Sequence, residues 1–219
     1  MKSHIAIAID GPAASGKSTL AGRLSERLNL TMVNSGEMYR AVTWRLLDLR
    51  VDVSDASAVV EALGAMDLEC GVEGRMSTIK VDGLHPGTEL RSEAVNRSVS
   101  TVSAVPEVRR RLVELQREYL DFTDVVMEGR DIGSVVFPDT PFKIYIDADA
   151  DVRAKRRTDV GEVDSVLDRD REDSSRKTAP LMVPDGAARL DTSKHTIESG
   201  VLAALEILRG QGLDLEERS

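Results

Sequence analysis

Eight consecutive residues, Gly11-Pro12-Ala13-Ala14-Ser15-Gly16-Lys17-Ser18, match the pattern G-x-x-x-x-G-K-[ST]. Glycines and small side chains let successive backbone N–H groups curl around phosphate oxygens, and the amino end of a following helix adds partial positive charge. Lys17 is expected to reach the outer phosphates of a nucleoside triphosphate and Ser18 to ligate Mg²⁺. With Thr19, which follows directly, the run is the expected nucleoside-triphosphate-binding segment. A chance match to the pattern arises in about one sequence of this length in a hundred. The apolar run His4–Ile9 before it and the helical spacing after it supply the strand and helix that the motif requires.

A triphosphate site leaves the fate of the outer phosphate open. Neither the D-x-x-G and N-K-x-D strings of a GTPase nor the G-x-G-x-x-G of a dinucleotide fold occurs. Small-molecule kinases lead, ahead of an ATPase or a nucleotide-binding regulatory module without an acceptor. Phosphoryl transfer is mainly positioning and charge stabilisation. An acceptor that is itself a phosphate brings its own nucleophilic oxygen, so the protein must hold two mutually repelling groups in line. Arginine, planar and permanently charged, suits that task. Arg40, Arg109, Arg130, Arg153, Arg157, Arg169 and Arg176 stand across the chain at positions read as turns or helix ends. Each alone is more often a solvated surface residue. Together, in an acidic chain beside a phosphate loop, they favour convergence on an anionic site. A kinase for a small alcohol or acid, such as the shikimate type, is the alternative enzyme, but its substrate-binding glycine pair is absent: no Gly-Gly occurs.

Three stretches sharpen the reading. "NSGEMYR" follows a strand signal and places Ser35, Tyr39 and Arg40 at the carboxyl edge of a sheet, where ligands bind in open α/β folds. "EGRDIG" follows another, and there Arg130 and Asp131 can divide their work between a phosphate and a hydrogen-bonding base edge. In "RDREDSSR" the steps of four and three put Arg169, Asp173 and Arg176 on one helix face, where salt bridges are the plainer reading.

The elements that must position these residues alternate. Strand signals at His4–Ile9, Thr31–Val33, Asp124–Met127, Phe142–Ile146 and Ala187–Leu190 are interleaved with helical rows. The rows are Leu20, Leu24 and Leu28; Met38, Val42, Leu46 and Leu49; Val108, Leu112, Leu115 and Tyr119; and Thr196–Leu208. The alternation predicts an α/β fold with a mostly parallel sheet flanked by helices. Between about Met66 and Val99 the pattern changes to short alternating pieces separated by glycine turns, which predicts a small antiparallel insertion. Arg153–Arg176 is dense in charge and poor in large apolar residues, as expected of a mobile, solvent-facing arm.

The chain has 219 residues, 41% of them hydrophobic and 31% charged, the balance of a single ordinary globular domain with insertions. Only 3% are aromatic, so the core is expected to be aliphatic. A net charge of −9 argues against a general nucleic-acid binder. The amino-terminal apolar run is too short for a signal h-region or membrane span, and Cys70, the one cysteine, has no disulfide partner, so a reducing cytoplasm is the expected setting. Cys70 and Trp44 read as core or near-core packing, and His85 as a surface turn residue. The spacing of His4, His85 and His195 suggests no metal triad.

The ordered set of the phosphate loop, "SGEMYR", "STVSAVPEVRRRL", "EGRDIGSVVFPD", "KIYIDA", "RAKRR" and "RDREDSSRKTAPL" resembles the bacterial cytidylate kinases over nearly the whole chain. These nucleoside monophosphate kinases of pyrimidine metabolism pass the γ-phosphate of ATP to CMP or dCMP. The resemblance implies a P-loop sheet, an enlarged monophosphate-binding insertion over about 66–99 and a lid over about 153–176, in a cytoplasmic monomer that uses Mg²⁺. It implies that Arg40, Arg130 and Arg176 hold the acceptor phosphate, and that Arg169 with Asp173 contacts the ribose or its phosphate. Ser100, Arg109 and Asp131 would read the cytosine edge, whose exocyclic amine and ring acceptors such a set distinguishes from uracil. Arg153, Arg156 and Arg157 resemble lid arginines over the donor phosphates. Residues 156 and 157 point apart on a helix, so two of the three are expected there at once, and the assignment falls on Arg153 and Arg157. Asn34 and Glu128 stand where the family often has aspartate.

Overall fold

The run Ala6–Asp10 forms β1 with all five side chains buried, as the apolar run that ends at Ile9 predicts for a strand covered on both faces. The computed structural model describes residues 4–159 and 181–215. They fall into two compact units, one built from Met1–Val33 and Tyr119–Ser219, the other from Asn34–Glu118.

In the first unit β1 is followed by α1 (Lys17–Leu28) and β2 (Thr31–Asn34), then after the second unit by β5 (Val125–Gly129), β6 (Lys143–Asp147), α6 (Ala150–Asp159), β7 (Ala188–Asp191) and α7 (Ile197–Gly210). The strands lie in the order β2-β5-β1-β6-β7. β1 runs parallel to β5, with Asp10 opposite Gly129, and parallel to β6, with Asp10 opposite Tyr145. β6 runs parallel to β7, with Asp147 opposite Asp191. This register brings the carboxyl ends of four strands to one edge, where the phosphate loop, "EGRDIG" and the β7–α7 connection all begin. The aliphatic core packs Ile7, Ile9, Ile144 and Ile146 against Leu20, Leu24 and Leu28 of α1 and Val201, Ala204 and Leu208 of α7. Each fully buried side chain of this size stabilises by roughly 1.5–3 kcal/mol, which anchors the sheet edge that carries the polar residues.

The second unit holds α2 (Ser35–Asp48), α3 (Ala56–Ala65), the hairpin of β3 (Leu68–Glu73) and β4 (Met76–Val81), α4 (Glu93–Ser103) and α5 (Pro106–Glu118). β3 and β4 pair antiparallel from Leu68 opposite Val81 to Glu73 opposite Met76, and the left-handed Gly74 (φ 63°) lies in the tight turn between them. The strands expected through Val99 stop at Val81. Ser92 accepts a hydrogen bond from the Val95 N–H and starts a helix whose Val95 and Val102 are buried, a 3.6-residue rhythm that the glycine turns before it obscure. Leu49 lies one residue past α2 and is 46% exposed, so the apolar row on that helix ends at Leu46.

The segment read as solvent-facing begins differently: Arg153 and Arg157 lie on α6 and are buried, their cationic heads directed inward because backbone carbonyls await at least Arg153. Arg169, Asp173 and Arg176 lie outside the described residues. Cys70 is half-buried in β3, Trp44 is half-buried on α2, and His85 is exposed in the connection that follows β4. Among the described residues no helix is long and apolar enough to cross a membrane.

Candidate active site

The phosphate loop is built around two glycines. A Cβ at Gly11 would come within 2.0 Å of the Ile146 carbonyl oxygen, so only glycine lets the chain leave β1 this close to β6. Gly16 is left-handed (φ 94°, ψ 7°) and starts α1 without any side-chain cap. By contrast α2, α3, α4 and α7 are capped by Asn34, Asp55, Ser92 and Thr196. The amino end of α1 therefore presents its N–H groups and dipole to an anion. Carbonyls of the same loop are each tied by a donor. Lys17 Nζ donates to Pro12 O at 2.7 Å, Arg153 Nη1 to Ala13 O at 3.4 Å, Arg156 Nη1 to Ala14 O at 3.5 Å and Thr192 Oγ1 to Ser15 O at 2.8 Å. The Ser15 hydroxyl is buried with no hydrogen-bond partner among the described residues. A buried hydroxyl in that state is costly unless a ligand atom meets it.

Ser18 is exposed at the first turn of α1, and its Oγ donates to Glu128 Oε1 at 2.6 Å. Glu128, at the end of β5, is only 5% exposed. Asn34, the other residue that departs from the family pattern, caps α2 by accepting the Glu37 N–H, a task that asparagine performs as well as aspartate. Among the described residues no cluster of three or more His, Cys, Asp or Glu assembles a metal cage.

Beyond β5 the chain passes through half-buried Arg130 and buried Asp131 into a π-helical turn, Ile132–Val136. The N–H groups of Ile132 and Gly133 donate to Asp10 Oδ1 and Oδ2, both at 2.7 Å. Burial pushes the Asp10 carboxyl up to about 6, opposed by those two N–H groups, raised further by Asp131 and lowered by Lys17. Sequence reading missed Asp10. The signal was there, since a carboxylate at the end of a strand buried on both faces must be paired.

On α6, Arg153 Nε also donates to Ala148 O at 3.0 Å. Arg156 reaches Thr192 twice, Nη1 to Oγ1 at 3.1 Å and Nη2 to O at 3.0 Å. Arg153 and Arg156 both reach loop carbonyls, and Arg157 is buried on the same helix. Thr192 carried no sequence signal: its role depends on where β7 ends relative to the loop.

In the second unit Ser35, Tyr39 and Arg40 share α2, with Ser35 and Tyr39 buried. Arg109 on α5 is 5% exposed, lies over the Tyr39 ring at 5.5 Å and donates to Ser103 O at 3.3 Å. Arg40 Nη1 donates to Leu90 O at 3.0 Å and to Asn96 Oδ1 at 2.6 Å on α4. Ser100 lies one turn beyond Asn96 on the same face of α4 and is half-buried.

A parallel sheet with a G-x-x-x-x-G-K-S loop between β1 and α1 makes this a P-loop phosphate-binding protein. Solved structures share that fold: a Thermus thermophilus protein superposes over 97% of this chain and all of its own with TM-score 0.51 at 18% identity. The profile of the cytidylate kinase family matches residues 7–209, and the chain belongs to that family. Among curated relatives, the cytidylate kinase of Chloroherpeton thalassium is 42% identical over 93% of this chain and 92% of its own. That of Streptomyces avermitilis is 39% identical over 89% and 88%, and that of Caldanaerobacter subterraneus 39% identical over 94% and 95%.

Proposed function

We propose that this protein transfers the γ-phosphate of ATP to CMP or dCMP, releasing ADP and CDP or dCDP by direct in-line displacement without a covalent intermediate. The observation that carries the reading is the family match across residues 7–209, on a chain whose phosphate loop keeps its lysine, hydroxyl and uncapped helix start.

The donor phosphates lie along Gly11–Thr19, where the Ser15 hydroxyl and the amino end of α1 meet phosphate oxygens. Lys17, Arg153 and Arg157 neutralise charge on the transferred group. One exposed hydroxyl beside one buried carboxylate, Ser18 and Glu128, fits Mg²⁺, which takes few protein oxygens and completes its shell with water and phosphate. Ser18 would ligate the ion and Glu128 orient that hydroxyl; when bound, the ion offsets phosphate charge. Arg40, Arg130 and Arg176 hold the acceptor phosphate, with Ser35 and Tyr39 lining its approach and Arg169 and Asp173 on the ribose or its phosphate. Ser100, Arg109 and Asp131 read cytosine. Uracil presents an N–H where cytosine presents an acceptor, and a buried polar group left unpaired costs about 1–3 kcal/mol, tenfold or more in discrimination. The protein works as a monomer in the cytoplasm, with no nucleic-acid or membrane partner.

The test is a coupled ADP-release assay with ATP and Mg²⁺, offering CMP, dCMP, UMP, AMP, GMP and shikimate separately beside a control without acceptor. Turnover confined to CMP and dCMP is expected. Equal turnover of UMP overturns the cytosine-reading roles, and ADP release only at the level of the control overturns the kinase.

A further inference from the structure

A helix start is ordinarily capped by the side chain at its own N-cap position, and aspartate is among the best residues for that task. The turn Ile132–Val136 breaks this pattern. Its N-cap residue is Asp131 (φ −147°, ψ 24°), yet Asp131 makes no cap hydrogen bond. The leading N–H groups of Ile132 and Gly133 donate instead to the two oxygens of Asp10, 122 and 123 residues away in sequence, at 2.7 Å each. Asp10 is fully buried at the end of β1, on the strand that leads into the phosphate loop. A carboxylate that meets two adjacent N–H groups with its two oxygens fixes both the distance and the rotation of that peptide segment. Gly133 is crowded against it: a Cβ there would stand 3.1 Å from Asp10 Oδ2, 3.1 Å from Pro184 Cγ and 3.2 Å from Lys143 Cδ.

We propose that Asp10 is a positioning residue for the acceptor nucleotide: by accepting both leading N–H groups of the turn Ile132–Val136, it sets the backbone from which Arg130 and Asp131 act. This rests on the reading of Arg130 and Asp131 as acceptor-binding residues. Because the cap comes from β1, the Asp131 carboxylate is not committed to its own helix start, and the donor loop and the acceptor-reading residues take their register from the same strand end. The Asp10 carboxyl responds to the Asp131 and Lys17 charges, so it lies within electrostatic reach of both sets.

The test is Asp10→Asn, measured at pH 7.5 with CMP and ATP varied in turn and with amide exchange of Ile132 and Gly133 followed in the same samples. The amide carbonyl can take one N–H, but its NH₂ then faces the other, donor against donor. Expected are faster exchange at those two amides and a KM for CMP raised about tenfold or more, with the KM for ATP within about threefold of wild type, a split that a general loss of packing would not produce. Gly133→Ala, which pushes on the same carboxylate, should move CMP kinetics in the same direction. Unchanged CMP kinetics despite faster exchange, or equal rises in both KM values, overturns the positioning role. If neither variant melts cooperatively, Asp10 is a folding residue and the proposal falls. If the wild type does not turn over CMP, the functional reading fails first and the proposal with it.

Discussion

Ser18 Oγ donates to Glu128 Oε1 across 2.6 Å, so the first turn of α1 and the end of β5 share one hydroxyl–carboxylate contact 110 residues apart in sequence. The carboxylate fixes the hydroxyl hydrogen on its own side, which in the proposed metal role would leave the oxygen lone pairs for the ion. Removing an orienting partner of this kind typically costs about 10–100-fold in metal affinity or activity. Ser18→Ala and Glu128→Gln should each raise the Mg²⁺ concentration for half-maximal ADP release by a factor in that range. Titrating Mg²⁺ at saturating ATP and CMP checks it; wild-type Mg²⁺ dependence in both variants removes the pair from the metal site.

Asp131 is 4% exposed at the carboxyl edge of β5. In its assigned role it accepts from the exocyclic amine of cytosine, and its loss leaves that donor unpaired at about 1–3 kcal/mol. Asp131→Ala should therefore lower kcat/KM for CMP about tenfold or more, with ATP binding kept, because the role assigned to it lies on the acceptor. Steady-state kinetics with CMP and calorimetric titration of a non-hydrolysable ATP analogue separate the two effects. A regulatory nucleotide-binding module would keep its full nucleotide response in this variant.

Legibility in the sequence followed the physics of each element. β1, α1, β5 and β6 announced themselves because a strand buried on both faces and a helix buried on one leave a one-dimensional record in apolar spacing. α4 did not, since its few valines stand among serines, Asn96 and Arg97 and follow glycine turns that read as hairpin punctuation. The phosphate loop was legible because its glycines answer a local need: Gly11 has no room for a Cβ beside Ile146 O. Asp10, Thr192 and the contact of Arg156 with the loop depend on which strands end side by side. That is a property of the sheet order, and no spacing within a single segment records it.

The Asp10 carboxyl, raised to about 6 chiefly by burial, has a consequence for stability whose sign differs from that of most acidic residues. Its folded value lies above its ordinary 3.8, so the native chain binds this proton more tightly than the unfolded chain. The contribution is fully present below about 3.8 and is lost as pH rises through about 6. Asparagine does not titrate. The stability of wild type relative to Asp10→Asn should therefore fall by about 2 kcal/mol between pH 4 and pH 7. Urea unfolding of both proteins at several pH values in that window reads the slope, and a difference independent of pH would refute the raised value.

Thr192 ties three segments at one residue: its Oγ1 donates to Ser15 O at 2.8 Å and accepts from Arg156 Nη1 at 3.1 Å, while its backbone N–H donates to Asp147 O at 2.9 Å. The phosphate loop is thereby held from the β7 end of the sheet as well as from β1. Thr192→Val keeps nearly the same shape and removes the hydroxyl, so the Ser15 carbonyl is left buried without its donor and Arg156 loses one of its acceptors. A neutral bond of this kind contributes about 0.5–1.5 kcal/mol net, and the orphaned carbonyl adds to the loss. The effect should appear where the loop acts: the KM for ATP should rise about tenfold, the KM for CMP should stay within about twofold, and the melting midpoint should fall by a few degrees, roughly as one kcal/mol does in a domain of this size. A rise confined to CMP would instead place the β7–α7 connection on the acceptor side and leave the donor loop held by Lys17 and the α6 arginines alone.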